Sequence, residues 1–173
     1  MNSVRITSGK LKGRKISTPG GKTHPMGERE RIALFNMVFD GLPGAVVLDA
    51  YAGSGALGIE ALSRGAKRVV FIEKSSKASK IIKENLHTIG LEAEVIVQDV
   101  VKFTTSVNFD VIIADPPYDS FDLDGVENLK KYLKAGGVFV LSHPGESPEI
   151  EGLNLEKSRS YAGATISIYY KPQ

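Results

Sequence analysis

No cysteine occurs anywhere in the 173 residues, which excludes a disulfide framework and every thiolate metal site. Apolar runs never exceed a few residues, far short of the roughly 20 that a membrane-spanning helix needs. The opening stretch MNSVRITSGKLKGRK lacks the apolar core of a secretory signal. His24, His87 and His143 are too far apart to match a metal-ligand spacing, and His87 and His143 read as surface or satisfied loop residues. A soluble, cytoplasmic globular protein with no metal and no membrane partner is the expectation. At this length it is one domain with at most a short arm, and a monomer.

Net charge is also small, +2, but it is unevenly spread. Residues 1–31 hold eight cations (Arg5, Lys10, Lys12, Arg14, Lys15, Lys22, Arg29, Arg31) against Glu28 and Glu30, so the remainder is net acidic. A basic arm on an acidic body is the footprint of a polyanion binder; taken alone, such a run is more often a solvated tail. Val4, Ile6, Leu11 and Ile16 sit among the charges, with Gly9 and Gly13 as turn residues. That pattern predicts a small hairpin displaying its cations, with Lys10, Lys12, Arg14 and Lys15 as candidate polyanion contacts. The arm is taken as residues 1–26 and the main domain as 27–173.

Beyond a Pro/Gly-rich link from Thr18 to Met26, a helix over Glu28 to Phe39 carries Ile32, Phe35, Met37 and Phe39, stopped by Gly41, Pro43 and Gly44. Strand and helix signals then alternate. Strands are predicted at 46–48, 69–72, 95–97, 109–114 and 138–141, with helices at 56–63, from Ser75 to Gly90, and from about Leu123 to Leu133. Gly136 and Gly137 read as the turn into the fifth strand. Two further strands near Leu153 to Leu155 and Thr165 to Tyr170 have no helix between them and predict an antiparallel edge pair. The pattern is an open, mostly parallel α/β sheet with helices on both faces.

In such a sheet, ligands bind at the carboxyl ends of the strands. Four strands end in or just before an acid: Asp49, Glu73, Asp99 and Asp115. One alone would read as a helix cap or loop residue; four on one edge repel each other and point to a site for hydroxyls, amines or a cation. After the first of them comes Gly53-Ser54-Gly55-Ala56-Leu57-Gly58, a GxGxxG loop between strand and helix, with Glu73 placed to hold ribose hydroxyls. A nicotinamide dinucleotide would fit that spacing, but Asp49 would face its pyrophosphate. S-adenosylmethionine carries an ammonium and a sulfonium instead. LDAYAGSG therefore resembles the first motif of methyltransferases that use it. The candidate cofactor residues are Asp49 at the methionine end, the loop residues Tyr51, Ala52, Gly53, Ser54 and Gly55, Glu73 with Lys74 at the ribose, and Asp99 with Val100 at the adenine.

The fourth strand ends in Asp115-Pro116-Pro117-Tyr118. As a bare turn this needs no function, since proline ends strands well. In this sheet position it resembles the [DN]PP[YF] motif of methyltransferases acting on exocyclic base amines. Asp115 and the Pro116 carbonyl can accept the two amine hydrogens, Pro117 stiffens the turn, and Tyr118 offers a ring for an extruded base.

SGKLKGRK, ALFNMV, VLDAYAGSGALGIEALSRGA, DPPY and YAGATISIYY together resemble the RsmD family, bacterial 16S ribosomal RNA guanine-N2-methyltransferases. The resemblance runs from about Arg5 to Tyr170. It implies a seven-stranded Rossmann-like methyltransferase sheet, S-adenosylmethionine as methyl donor, and the 2-amino group of a guanine in 16S rRNA, free or in a small-subunit assembly intermediate, as acceptor. One departure is His24-Pro25-Met26-Gly27-Glu28-Arg29, where the family usually shows Arg-Pro-Thr and then Asp-Arg. Rival readings are a DNA adenine or cytosine amino-methyltransferase, a non-catalytic RNA-binding module of the same fold, and an NAD-dependent oxidoreductase.

Overall fold

The computed structural model describes residues 2–20 and 26–173, apart from the Phe39 side chain. His24 and most of the Pro/Gly-rich link lie outside the described residues. The chain opens with β1 (Ser3–Arg5) and β2 (Lys15–Ser17), paired antiparallel with Val4 opposite Ile16. The predicted hairpin is therefore present. Ile6 and Ile16 are buried and join the core on one face of the main sheet. Each such side chain contributes about 1.5–3 kcal/mol by leaving water.

That sheet has seven strands: β3 (Val46–Ala50), β4 (Arg68–Glu73), β5 (Glu94–Val97), β6 (Phe109–Ala114), β7 (Leu133–His143), β8 (Asn154–Tyr161) and β9 (Ala164–Tyr170). Their spatial order is β5-β4-β3-β6-β7-β9-β8. The first five run parallel, and β9 pairs antiparallel with both β7 and β8. The chain moves outward from β3 to β5, then returns to place β6 on the other side of β3, which makes the β3–β6 junction a switch point.

Helix α1 (Glu28–Met37) packs on the hairpin face with α2 (Ala56–Ser63) and α3 (Ser76–Ile89), while α4 (Asp124–Leu129) packs on the other face. In β3 the pleat sends Val47 into one core and Leu48 and Ala50 into the other, which turns Asp49 towards α2. Ser75 caps α3, its hydroxyl accepting from the Ala78 amide at 3.2 Å, and Gly90 closes it in the left-handed region.

Within α1, Ile32 is 37% exposed whereas Arg31 is 1% exposed. The cause is long-range: Glu60 on α2 lies under Arg31. Three local readings are corrected. The helix predicted to run to Leu133 ends at Leu129 with a 3-10 turn over Lys130–Tyr132. Strand β7 already begins at Leu133, and Gly136 and Gly137 lie inside it beside a register shift opposite Phe109 and Val111. His87 is exposed as read, whereas His143 is fully buried at the end of β7, its Nε2 2.7 Å from Ser167 Oγ and its Nδ1 3.1 Å from the Pro144 carbonyl. It is satisfied, but as a core residue.

Candidate active site

Because the order is β5-β4-β3-β6, the four strand-end acids stand in the row Asp99, Glu73, Asp49, Asp115 along the carboxyl edge. A cavity of about 690 Å³ opens there. Its wall includes Tyr51, Gly53, Glu73, Lys74, Asp99 and Val100 from the β3–β5 side, and Asp115, Pro116, Pro117 and Tyr118 from β6. The two motifs, distant in sequence, thus share one cavity. Asp49, Ala52, Ser54 and Gly55 are buried and are not among the lining residues.

The glycine loop is held from below. Asp49 Oδ2 accepts the Gly58 amide at 2.8 Å, and a Cβ at Gly58 would stand 2.2 Å from the Phe71 ring and 2.9 Å from that oxygen. Only glycine lets α2 come so close to β3 and β4. Glu73 clamps the loop from the next strand, accepting the Gly53 amide at 2.8 Å and the Ser75 amide at 2.9 Å. Asp99 Oδ1 accepts the Val101 amide at 3.0 Å, so it caps the short turn carrying Val100. Tyr51, at φ 60°, is the non-glycine residue with positive φ among those described. Its hydroxyl lies where a Cβ on Gly125 would be, which fits α4 against the loop. Burial, with Asp122 and Asp99 nearby, pushes that hydroxyl up to about 12, so it is a neutral donor.

Electrostatics select the ligand. Among the described lining residues are five carboxylates (Glu30, Glu73, Asp99, Asp115, Asp119) and one cation, Lys74. Burial drives the Asp49 carboxyl well above its ordinary range, with Asp115 and Glu73 adding to the rise while the Gly58 amide opposes it. A cationic ligand relieves this accumulation and a pyrophosphate worsens it. The donor set therefore fits the ammonium, sulfonium, ribose and adenine amine of S-adenosylmethionine.

Asp115 is part-buried, and burial pushes its carboxyl up to about 6, with the Ser142 hydroxyl opposing the rise. The Tyr118 hydroxyl is hydrogen-bonded to Ser142 Oγ. Sequence reasoning missed Ser142, Glu30 from α1, and the β8–β9 turn (Ala162, Gly163, Ala164), all of which line the cavity. A hydroxyl at the end of the fifth parallel strand was the available signal for Ser142. The other two reach the site only through tertiary packing.

The four hairpin cations stand elsewhere. The turn rests on the last residue of α2: the Lys10 amide donates to the Ser63 carbonyl at 2.9 Å, and the Leu11 amide to Ser63 Oγ at 2.9 Å. An eight-residue helix is about 12 Å long, and the glycine loop is at its other end. Lys10, Lys12, Arg14 and Lys15 are exposed and outside the cavity, with Arg14 donating to the Thr88 carbonyl at 3.0 Å.

Residues 4–170 match the family model described as Conserved hypothetical protein 95. YlbH of Bacillus subtilis, provisionally named an rRNA methyltransferase, is 33% identical over 184 aligned positions covering 97% of this chain and 99% of that one. Ribosomal RNA small subunit methyltransferase D of Haemophilus influenzae is 38% identical over 123 positions, 66% of this chain and 64% of that one. The structure of yhhF of Escherichia coli, provisionally described as a methyltransferase, superposes with a TM-score of 0.91 at 27% identity, covering 99% of each chain. With the glycine loop, the acid row and DPPY gathered on one cavity, the chain belongs to the Conserved hypothetical protein 95 family, the RsmD family of methyltransferases.

Proposed function

We propose that this protein transfers one methyl group from S-adenosylmethionine to the exocyclic 2-amino group of a guanine in small-subunit (16S) rRNA, acting in the cytoplasm on the free RNA or on an assembling particle. The observation that carries this reading is the shared cavity: Glu73 and Asp99 on one wall, Asp115-Pro116-Pro117-Tyr118 on the other. The rRNA substrate named for the small-subunit relatives supports the choice of acceptor.

When bound, S-adenosylmethionine supplies an electrophilic methyl on a positively charged sulfur. Glu73 receives the ribose hydroxyls, Asp99 accepts from the adenine amine with the oxygen its cap does not use, and the Asp49 carboxylate attracts the methionine ammonium. Tyr51 and Gly53 line the floor, with Ala52, Ser54 and Gly55 buried behind it to hold the loop's shape, and Lys74 and Val100 flank the ribose and adenine.

A guanine amine is a weak nucleophile because its lone pair is delocalised into the ring. Asp115 and the Pro116 carbonyl each accept one amine hydrogen, which favours a pyramidal nitrogen with its lone pair aimed at the methyl. Pro117 fixes that carbonyl in place, and the Tyr118 ring stacks on a base withdrawn from its helix, worth about 1–3 kcal/mol. One N–C bond forms, one S–C bond breaks, and the nitrogen sheds one proton for which the Asp115 carboxylate is the adjacent acceptor. Alignment supplies much of the rate. Lys10, Lys12, Arg14 and Lys15 hold RNA phosphates beyond the α2 end.

The test is transfer of labelled methyl from S-adenosylmethionine into small-subunit rRNA, with duplex DNA in parallel. Label in the rRNA alone is the expected result; label in DNA alone, or in neither, overturns the reading.

A further inference from the structure

Ser142 is a buried hydroxyl, 1% exposed, that follows the apolar run Val138 to Leu141 in β7. Ala114 of β6 pairs with Leu141 of β7, so Asp115 and Ser142 follow at the same level on adjacent strands. Ser142 lines the cavity and is hydrogen-bonded to the Tyr118 hydroxyl. Strand, tetrapeptide and cavity therefore meet at one side chain. The rest of the loop is held more lightly. The Asp115 amide lies 3.5 Å from the Ala50 carbonyl, and Tyr118 opens a 3-10 turn of three residues.

We propose that Ser142 is a positioning residue for methyl transfer: it anchors the Tyr118 ring through its hydroxyl and directs its own proton at the Asp115 carboxylate. An ionised carboxylate only accepts, so Ser142 donates to it and in turn accepts from Tyr118. The order Tyr118, Ser142, Asp115 gives every hydroxyl proton an acceptor and holds the stacking ring and the amine-binding carboxylate in one register. The inference rests on the proposed methyl transfer and adds a residue to it.

The Ser142 hydroxyl also opposes the rise that burial imposes on Asp115. The groups facing Asp115 are Asp49 from β3, Tyr118 from its own loop and Ser142 from β7; Glu73 from β4 acts on Asp49, and Glu30 from α1 acts on Tyr118. Of the others, Tyr118 shares the change at position 142, since its hydroxyl is bonded to Ser142, which is why its own variant and the pair enter the test. Removing the hydroxyl therefore raises the pH at which Asp115 ionises.

The test compares wild type with Ser142→Ala, Ser142→Thr, Tyr118→Phe and the Ser142→Ala/Tyr118→Phe pair, reading kcat/KM for rRNA against pH and S-adenosylmethionine affinity by calorimetry. Ser142→Ala is expected to move the acid limb up by about one pH unit, lowering the rate about tenfold below pH 6, with cofactor affinity unchanged within about twofold. Ser142→Thr should restore the limb, and the pair should lose no more than the product of fold-losses of the single variants divided by a clear coupling factor of about threefold or more. Should Ser142→Ala not fold, Ser142→Cys keeps the volume with a weaker donor and carries the same prediction with a smaller displacement. An unmoved limb in a folded, active variant, or strictly multiplicative losses in the pair, overturns the role of Ser142 alone. A wild-type protein that methylates no rRNA overturns the functional reading beneath it.

Discussion

In the proposed mechanism Asp115 carries the chemistry, and its burial carries a stability cost. Its carboxyl is raised to about 6, so kcat/KM should climb as pH rises through about 6 and level off above it. A flat profile from pH 5 to 8 would separate the rate from this group. The same shift works against folding. The folded state holds the Asp115 proton to higher pH than the unfolded chain does, so stability is lost as pH rises from the ordinary aspartate range through about 6. Asp115→Asn should therefore melt higher than wild type at pH 8, with the gap closing at pH 4. Asp115→Ala should abolish transfer and leave S-adenosylmethionine affinity within a few-fold; equal loss of both would contradict the assigned role. At this scale the sequence made the strand-end acids legible, because an acid after an apolar run is a local signal. Ser142 and Glu30 were hidden because a serine or a first-turn glutamate has a local explanation everywhere.

The hairpin, α1 and α2 meet around a buried carboxylate rather than around apolar side chains alone. Glu60, fully buried, accepts the Thr7 amide at 2.9 Å, the Ser8 amide at 3.0 Å and Arg64 Nε at 3.0 Å, with Arg31 Nε 3.9 Å away. Arg31 in turn donates to the Arg5 carbonyl at 2.6 Å, which binds α1 to β1. Glu60→Ala would leave two nearly buried guanidinium groups facing unpaired amides, so a loss of about 3–5 kcal/mol is expected from urea unfolding. A loss under about 1 kcal/mol would mean the network is dispensable. This arrangement was not legible in α1, because a helix face counted by hydropathy cannot register that an arginine is buried by a glutamate 29 positions away. The α2 sequence did carry a hint, since Glu60 stands alone among ALGIEALS. The end of α4 was misread for a similar reason, because β7 captures Leu133 by pairing it with Phe109 across the sheet.

For the molecule as a whole, the acidic cavity and the tip of the basic hairpin lie at opposite ends of α2, while Lys15 on β2 shares a groove with Met26 and Gly27, which also line the cavity. Neutralising Lys10, Lys12, Arg14 and Lys15 should weaken RNA binding and flatten its dependence on log salt by about 0.7 for each cation that contacts a phosphate. S-adenosylmethionine affinity should not change. An unaltered salt slope would make the hairpin a structural brace only. The mostly parallel sheet was readable from alternating strand and helix signals, whereas the strand order, and with it the switch point between β3 and β6, was not. Nor was the cations' distance from the cavity, since it depends on where the hairpin turn rests on α2. The proposed function requires a cavity that joins a cationic methyl donor to a guanine amine. Mass spectrometry of 16S rRNA nucleosides from cells with and without the gene tests it most directly. Loss of N2-methylguanosine, restored by the wild-type gene and not by one encoding Asp115→Ala, is the predicted result; an unchanged nucleoside profile, or loss of a methylated adenine instead, would contradict it.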